Sequence, residues 1–335
     1  MGKTINRRWV LARRPVDKVD QQDFQRDDTM LDPLGESELR IRVTHQAFAP
    51  TQRVWIERDS YLPAVPVGGV VRSVAIGEVE ESNVPDFSKG DLVEGGFGWQ
   101  NYWQGPALTD LGPIKRLPPG ITPEQALGAI GISSKTAWFG VNDVLKPREG
   151  ETALVSAAAG ATGSAAGQLL KAAGARVIGI AGGQEKAHWV KAVAGLDECI
   201  DYKGEDVAAR IRELAPNGLD MVYENVGGAI LDAALENLAL NARIAFCGAI
   251  SSYDTGEIYG LKNYPNLVVQ RASIRGFLIL DYADRNAEAE KGLSDLLKRN
   301  EIRFQLDIQH GFENIPKTLT RIFSGQNLGK QILVV

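Results

Sequence analysis

Hydrophobic and polar positions alternate over short stretches in the first third of the chain. The clearest stretch, residues 38–48, alternates apolar and polar side chains as a strand with one buried face does. Residues 67–79 and 90–103 continue in the same way, with glycines inside the apolar runs. Because glycine within a strand commonly marks a bulge or a tight bend, the pattern predicts a strongly curved, barrel-like antiparallel domain.

From about residue 121 the hydrophobic spacing becomes helical. Residues 122–145 are predicted to form a helix, with Thr122 as its N-cap and Pro123 at its first position. From residue 151 to residue 299, strand-like and helix-like segments alternate, and the last helix is predicted at 286–299. This alternation predicts βαβ crossovers and a parallel sheet covered on both faces. The tail after residue 302 returns to strand, helix and strand, and we expect it to complete the first domain.

Composition narrows the class of protein. The chain has 335 residues, 44% hydrophobic and 24% charged, with a net charge of -5, which is typical of a globular protein of two domains. This charge offers no basic surface for nucleic acid, and no apolar run is long enough to span a membrane. No apolar segment follows the basic N-terminus, so a secretory signal is not expected. The predicted location is the cytoplasm.

Few residues are available as metal ligands. The candidates are two cysteines and three histidines: Cys199, Cys247, His45, His188 and His310. They show no C-x-x-C or H-x-x-x-H spacing, and a zinc site needs three or four such ligands. We therefore expect no metal, and His45 and Cys247 are interpreted as structural residues.

A loop of very small side chains follows the first strand of the alternating region, in "ALVSAAAGATGSAAGQ". Ala158, Gly160 and Gly163 occupy the three glycine positions of the dinucleotide fingerprint, between a strand and a helix. In that motif the N–H groups at the start of the helix bind a pyrophosphate. The alternative is a loop that only permits tight packing of strand and helix.

The next strand ends without an acidic residue, at residues 181–183. A carboxylate there would accept the ribose 2′-OH of NAD. Lys186 follows instead, and Tyr202 and Lys203 come just after the third strand, where they could contact a 2′-phosphate. These residues favour NADP over NAD, although Lys186 could equally be a solvated helix residue.

Four motifs in a fixed order indicate a family. They are "AAAGATGSAAGQ", "YENVGG" at 223–228, "CGAISSYDTG" at 247–256 and "GQNLGK" at 325–330. With them the chain resembles the zinc-independent medium-chain dehydrogenase/reductases, specifically the prostaglandin/leukotriene reductase and alkenal double-bond reductase group. The resemblance covers nearly the whole chain and is strongest from about residue 128 onward.

The resemblance implies an α/β fold with two domains and usually a homodimer. A GroES-like β-barrel catalytic domain would comprise residues 1–130 and 300–335, and a Rossmann domain with a doubly wound parallel sheet would bind NADPH with residues 131–299. The implied cofactor contacts are Gly160, Ala161, Thr162 and Gly163 on the pyrophosphate, Lys186 and Tyr202 on the 2′-phosphate, and Asn225, Cys247, Gly248, Ala249, Ile250, Ser251, Phe277, Leu278, Ile279 and Asn327 near the nicotinamide. Phe277, Leu278 and Ile279 are expected on the next strand after the Cys247–Tyr253 stretch.

The implied reaction is reduction of a C=C bond conjugated to a carbonyl. Hydride would reach the β-carbon, and the enolate that forms needs a hydrogen-bond donor at its oxygen. Tyr253 is the candidate donor, and the ribose 2′-OH of the cofactor is the alternative. Trp55 and Tyr61 are candidate walls of the substrate pocket, although Tyr61 could equally be a surface residue. Residues 49–53 depart from the family's Asp-Pro-Tyr-Met-Arg, so the identity of the enone or enal substrate cannot be transferred.

Two other functions stay open. One is an NADPH:quinone reductase or a 15-oxoprostaglandin-like reductase with the same cofactor, and the other is a non-catalytic NADPH-binding protein. A zinc alcohol dehydrogenase is disfavoured by the small number of candidate ligands.

Overall fold

A computed structural model describes residues 4–254 and 259–335, so Thr255 and Gly256 of the third motif lie outside the described residues. The chain divides into two units. The first comprises the chain up to Leu127, Leu306–Asn327 and Gln331–Val335, and the second comprises Gly128–Gln305 and Leu328–Lys330. No helix in the described residues combines the length and apolar character that crossing a membrane requires.

The first unit is rich in short strands. Up to Leu127 its strands are β1 (Ile5–Asn6), β2 (Trp9–Leu11), β3 (Phe24–Arg26), β4 (Thr29–Met30), β5 (Leu39–Ala47), β6 (Ala75–Ser82), β7 (Leu92–Gly95), β8 (Tyr102–Gly105), β9 (Leu108–Thr109), β10 (Gly112–Pro113) and β11 (Lys115–Arg116). Two short helices accompany them, α1 (Thr51–Trp55) and α2 (Pro123–Leu127).

Strand β5 shows why the alternating pattern folds as it does. Leu39, Ile41 and Val43 are fully buried in the apolar core of this unit, while the side chains between them point away from it. The pairing of β5 with β6 shifts register twice. At one of these places a Cβ on Gly77 would lie 2.3 Å from Ile41 Cγ2, so only glycine fits. The prediction that a glycine within a strand marks a bulge is confirmed at this position.

The second unit alternates strands and helices. Its strands are β12 (Thr152–Val155), β13 (Arg176–Ala181), β14 (Glu198–Asp201), β15 (Leu219–Glu224), β16 (Leu238–Phe246) and β17 (Ser273–Gly276). Its helices are α3 (Ile132–Phe139), α4 (Ala161–Ala172), α5 (Gln184–Ala192), α6 (Val207–Leu214), α7 (Gly228–Glu236), α8 (Asn266–Val269) and α9 (Asn286–Lys298).

These strands form one parallel sheet in the order β14-β13-β12-β15-β16-β17. From β12 the chain adds β13 and β14 on one side and then β15, β16 and β17 on the other, as in the doubly wound Rossmann fold. Ligands of such sheets bind at the carboxyl ends of the two strands where this switch occurs, here β12 and β15. The buried core on this sheet is aliphatic and includes Leu154, Ile178 and Val222. The predicted parallel sheet is confirmed.

The helix predicted over residues 122–145 is interrupted. Thr122 caps α2 as expected, since the Gln125 N–H donates to Thr122 Oγ1 at 3.2 Å and the Thr122 N–H donates to Gln125 Oε1 at 3.0 Å. The helix then stops, and Gly131 has an extended backbone (φ -73°, ψ 178°) before α3 begins. Glycine is a poor helix former, and the helical spacing of the apolar residues concealed this break. After α3 the chain continues as a π-helical segment, Gly140–Leu145.

The tail returns to the first unit as β18 (Leu306–His310), α10 (Ile315–Phe323) and β19 (Lys330–Val334), which confirms the predicted strand-helix-strand pattern. In the described residues the main sheet of the first unit has seven strands, in the order β11-β7-β6-β5-β19-β18 with β8 also paired to β5. Strand β19 runs antiparallel to β5.

Gly329 holds the tail segment of the second unit in place. Its N–H donates to the carbonyl of Ala159, in the glycine-rich loop, at 2.9 Å. Its φ is +76°, and a Cβ there would lie 2.0 Å from the Gln305 carbonyl oxygen. Two constraints therefore require glycine at this position, the left-handed backbone and the close approach of another backbone segment.

We predict that Gly329→Ala destabilises the protein by about 3 kcal/mol, the sum of a left-handed alanine and forced overpacking. Gly325→Ala is the matched control, because Gly325 also has a positive φ (+65°) but has open space around its Cβ position. That variant should lose only about 1 kcal/mol. Urea unfolding measures both free energies, and equal losses would contradict the close approach.

Candidate functional site

The glycine-rich loop joins β12 to α4 at the carboxyl edge of the parallel sheet. Ala157 has a left-handed backbone (φ +50°), so the tight turn falls on Ala157 and not on Ala158. A Cβ on Gly163 would lie 2.3 Å from the Ala157 carbonyl oxygen. The third glycine of the motif is therefore needed because helix and loop touch backbone to backbone.

The first turn of α4 is suited to an anion. Gly160 is its N-cap, without a side-chain cap, and no acidic residue lies in this turn. The first N–H groups of a helix have no acceptor within it, and the helix dipole adds partial positive charge. Gly160 uses its own N–H within the loop, donating to the Ala157 carbonyl at 2.8 Å. The amides of Ala161, Thr162 and Gly163 are thus better placed for a phosphate than that of Gly160.

The end of β13 carries no acid of its own, but a carboxylate reaches it from β14. Asp201 accepts hydrogen bonds from the Gly183 N–H at 2.7 Å and from Gln184 Nε2 at 3.1 Å. The first of these bonds holds the pKa of Asp201 below its usual range, so the group is ionised at neutral pH. Sequence reasoning missed Asp201 because it considered only the tip of β13. The signal was there, since neighbouring parallel strands end at the same edge.

Tyr202 lies against the same edge. A Cβ on Gly182 would lie 2.8 Å from the Tyr202 hydroxyl oxygen, and about half of the Tyr202 surface (49%) is exposed. Lys186 lies in α5, which begins at Gln184, and it is half-buried. The structure thus brings Tyr202 and Asp201 to the end of β13, with Lys186 in the helix that starts there.

Asn225 is tied to the glycine-rich loop. Its N–H donates to Ser156 Oγ at 2.8 Å, and its Nδ2 donates to the Ser156 carbonyl at 2.8 Å. The adjacent Glu224 is fully buried, and its Oε1 accepts from Ser156 Oγ at 3.0 Å. Sequence reasoning named Asn225 but missed Ser156 and Glu224. They form a buried polar network at the carboxyl ends of β12 and β15.

The segment after β16 folds over this network. The N–H groups of Cys247 and Gly248 donate to the Glu224 carbonyl at 2.8 Å and 3.2 Å. The Ile250 N–H donates to the Asn225 carbonyl at 3.2 Å, and the Ser251 hydroxyl donates to the Val226 carbonyl at 2.6 Å. Residues 247–251 therefore run alongside the loop between β15 and α7, so the two segments could contact the same ligand.

Cys247 has the chemistry of a neutral thiol. Burial raises the pKa of Cys247 to about 11, so the thiolate is not populated near neutral pH. This agrees with the interpretation of Cys247 as a structural residue.

Tyr253 follows the short helical turn Ile250–Ser252. Its hydroxyl oxygen accepts the Ala249 N–H at 3.1 Å, so the phenol lies over its own loop. The aromatic side chain is half-buried. This placement is compatible with donation to a ligand and equally with a packing role.

Phe277, Leu278 and Ile279 do not lie on the last strand, and this expectation was wrong. Strand β17 ends at Gly276, and a 3-10 helix begins at Ile279. Phe277 is the first residue past the strand, and its ring packs edge-on to Tyr223 with centroids 6.3 Å apart. All three side chains are half-buried.

Three predicted residues belong to the first unit: Trp55, Tyr61 and Asn327. Trp55 is buried, and its Nε1 donates to the Tyr61 hydroxyl at 3.1 Å. Their rings are edge-to-face with centroids 6.3 Å apart. The two candidate pocket residues are thus neighbours, and Tyr61 keeps 43% of its surface exposed. Asn327 precedes the segment Leu328–Lys330 of the second unit.

Within residues 4–254 and 259–335, no three His, Cys, Asp or Glu side chains come together as a possible metal site. Cys199 and Cys247 are both free cysteines.

Family models match most of the chain. A model described as a zinc-binding dehydrogenase matches residues 161–299, and one described as the N-terminal domain of oxidoreductase matches residues 7–111.

Several curated proteins are similar to the chain along nearly their whole length. The NADPH-dependent curcumin reductase of Escherichia coli (strain K12) is 36% identical, over 99% of this chain and 98% of that protein. The 2-alkenal reductase (NADP(+)-dependent) of Nicotiana tabacum is 34% identical, over 90% and 89%. Prostaglandin reductase 1 of Bos taurus is 31% identical, over 97% and 98%.

A solved structure agrees with these relatives. CurA from Vibrio vulnificus in complex with NADPH superposes with a TM-score of 0.92 at 33% identity, over 98% of this chain and 99% of that chain. The predicted α/β class with two domains is confirmed. The chain therefore belongs to the zinc-independent medium-chain dehydrogenase/reductases, in the group of prostaglandin/leukotriene reductases and alkenal double-bond reductases.

Proposed function

We propose that the protein reduces the C=C bond of α,β-unsaturated aldehydes or ketones with NADPH. The observation that carries the proposal is the first turn of α4, which has no side-chain cap and no acidic residue and so suits an anion, combined with relatives that are reductases of curcumin, 2-alkenals and prostaglandins. In this proposal the GroES-like catalytic domain is residues 1–130 and 300–335, and the NADPH domain is residues 131–299. The proposed location is the cytoplasm, which suits the free thiols.

The cofactor is NADPH, and the residues of the second unit fit it. The first amides of α4 match a pyrophosphate, and Lys186 and Tyr202 offer a cation and a hydroxyl for a 2′-phosphate near the end of β13. Bound NADPH supplies the hydride. The protein orients the reacting groups and keeps water from them. Asn225, residues 247–251 and Phe277–Ile279 line the nicotinamide half in this proposal.

Tyr253 is the proposed donor to the carbonyl oxygen of the substrate. Negative charge develops on this oxygen as the β-carbon is reduced, and a neutral phenol donates well at neutral pH. The phenol oxygen accepts a hydrogen bond from the Ala249 N–H. This bond strengthens the phenol as a donor, because hydrogen bonds in a chain polarise one another. Trp55 and Tyr61 form an aromatic wall of the proposed substrate pocket.

One screen tests the reaction. We expect the protein to oxidise NADPH in the presence of enals and enones. The decrease in absorbance at the nicotinamide band of NADPH measures this reaction for a panel of such compounds. Turnover of quinones alone would contradict the proposal and indicate a quinone reductase. Tight NADPH binding without turnover of any compound would indicate a non-catalytic NADPH-binding protein.

We predict that Tyr253→Phe lowers kcat on an enone at least about tenfold, which corresponds to ~1.4 kcal/mol of lost transition-state stabilisation. Because the variant also removes the acceptor of the Ala249 N–H, the dissociation constant of NADPH is measured alongside. Tyr264→Phe, at an exposed tyrosine, is the control. An unchanged kcat would assign the donor role to the ribose 2′-OH of the cofactor.

We predict that Lys186→Ala raises KM for NADPH about tenfold and leaves KM for NADH nearly unchanged, because only NADPH carries the 2′-phosphate. Lys191→Ala is the matched control on the same helix, since Lys191 pairs with Glu198 at 2.8 Å. An equal loss with both cofactors would refute contact with the 2′-phosphate.

A homodimer is proposed through the open edge of the parallel sheet. All four residues of β17 are exposed, and β17 is the edge strand. Val268 and Val269 of the adjoining α8 are 79% and 59% exposed. An exposed edge strand has unpaired backbone N–H and C=O groups that can pair with another strand. In a dimer with two-fold symmetry, the same edge of a second copy would supply that strand.

We predict that the double variant Val268→Glu, Ile274→Glu is a monomer, because charges on this surface oppose its burial against a second copy. Light scattering coupled to size-exclusion chromatography gives the mass. Leu108→Glu is the control, at an exposed leucine (62%) of the first unit. A monomeric wild-type protein, or a double variant that stays dimeric, would contradict the proposed interface.

A further inference from the structure

Glu224 has an unusual carboxyl group at the carboxyl end of β15. Its Oε1 accepts three hydrogen bonds, from Ser156 Oγ at 3.0 Å and from the N–H groups of Val226 and Gly227 at 2.6 Å each. Its Oε2 is buried, and the described residues give it no hydrogen-bond partner. The residue has no exposed surface. One oxygen is thus saturated and the other is left without a partner.

This arrangement favours the neutral acid. A buried carboxylate oxygen without a donor is costly, and a proton on Oε2 removes the charge while Oε1 keeps its three donors. Burial raises the pKa of Glu224 to about 7, with the hydrogen bonds from Gly227 and its neighbours acting in the opposite direction. The group therefore changes its protonation near neutral pH.

The carboxyl group connects two loops of the dinucleotide site. On one side Ser156 precedes Ala157, the left-handed residue of the glycine-rich loop. On the other side Val226 and Gly227 form the loop that leads into α7. Asn225 closes the network through its two bonds to Ser156. A change at Glu224 is therefore transmitted to both loops through direct hydrogen bonds.

We propose that Glu224 is a positioning residue for NADPH, whose neutral carboxyl group fixes the glycine-rich loop against the Asn225 loop. This inference rests on the cofactor of the proposed function and not on alkene reduction. When the carboxyl ionises, a negative charge appears in a dry site near the anion-binding turn of α4. The charge disfavours the packed loops and a bound pyrophosphate, so affinity for NADPH falls as pH rises through about 7.

Two buried ionisable side chains beside Glu224, those of Cys247 and Tyr223, do not titrate in this pH range. Burial raises the pKa of Cys247 to about 11 and that of Tyr223 well above 10.0, so both stay neutral. The charged residues of α7 have partners elsewhere: Asp232 accepts the Lys262 N–H at 2.8 Å, and Glu236 pairs with Arg212.

Lys171, on α4, pairs with Asp197 at 2.9 Å. The strand β12 and the first turn of α4 carry no ionisable side chain.

The test measures the dissociation constant of NADPH by fluorescence from pH 6 to 9, for the wild-type protein and for Glu224→Gln. Glutamine keeps the acceptor at Oε1 and cannot ionise. We expect the dissociation constant of NADPH for the wild-type protein to rise at least about fivefold across this range, relative to that of Glu224→Gln. The affinity of the variant should stay close to that of the wild-type protein with Glu224 protonated. Glu236→Gln, an exposed carboxylate on α7, is the control and should follow the wild-type profile.

A second measurement separates positioning from stability alone. The folded-state pKa lies above the ordinary value of 4.5, so the native state holds a proton that the unfolded chain releases. The free energy of unfolding of the apo protein should therefore fall as pH rises from about 4.5 to about 7, and this slope should be smaller in Glu224→Gln. If the variant changes only this slope and not the pH profile of NADPH affinity, Glu224 is structural and the proposal is wrong.

If Glu224→Gln does not fold, infrared spectra of the wild-type protein give the answer. A protonated carboxyl band that disappears near pH 7 supports the proposal, and its absence at pH 6 overturns it. Failure of the wild-type protein to bind NADPH at any pH would overturn the proposed cofactor as well. Binding that is independent of pH would overturn only the role of Glu224.

Discussion

The close approach of α4 to the turn that precedes it constrains the rest of the second unit. Gly163 lies so near the Ala157 carbonyl that any side chain would collide with it, at 2.3 Å. Helix α4 can therefore start directly after the turn that ends β12, which lies beside β15 in the sheet. The left-handed backbone of Ala157 is the cost of this geometry, of order 1 kcal/mol for a residue that is not glycine. The buried hydrogen bonds around Ser156 hold that turn in place.

Local patterns were sufficient for most of the fold. Alternation in β5 and helical spacing in α4 and α9 act over a few residues, so the sequence displays them directly. The prediction of one helix over residues 122–145 was wrong because it depended on the same local signal. The helical spacing of apolar residues persists across Gly131, although the backbone there is extended. The end of β17 was also misplaced, since nothing in "RGFLIL" distinguishes a strand from the extended residues that follow it.

The candidate site was predicted where its residues are close in sequence. Gly160–Gly163 and Asn225 lie in short motifs. Asp201, Ser156 and Glu224 were missed because their importance depends on strands that are adjacent in space and distant in sequence. Acidic residues inside a strand pattern also carry no visible signal of burial. Glu224 follows Tyr223 at the end of an apolar run, and only the structure shows its two oxygens in such different surroundings.

Asp201 changes the argument for cofactor choice. The absence of an acid at the tip of β13 does not leave that edge free of negative charge, because β14 delivers an ionised carboxylate to the Gly183 N–H. One of its oxygens also accepts the Lys203 N–H at 3.1 Å, and the other accepts from Gln184. A carboxylate surrounded by donors in this way has little capacity left to accept a ribose hydroxyl, which is the function of the acid in NAD-binding folds. Asp201 instead orients the turn at Gly183. The proposed preference for a phosphorylated dinucleotide therefore depends on the positive charge of Lys186 outweighing a fixed negative one, and not on a site without acids.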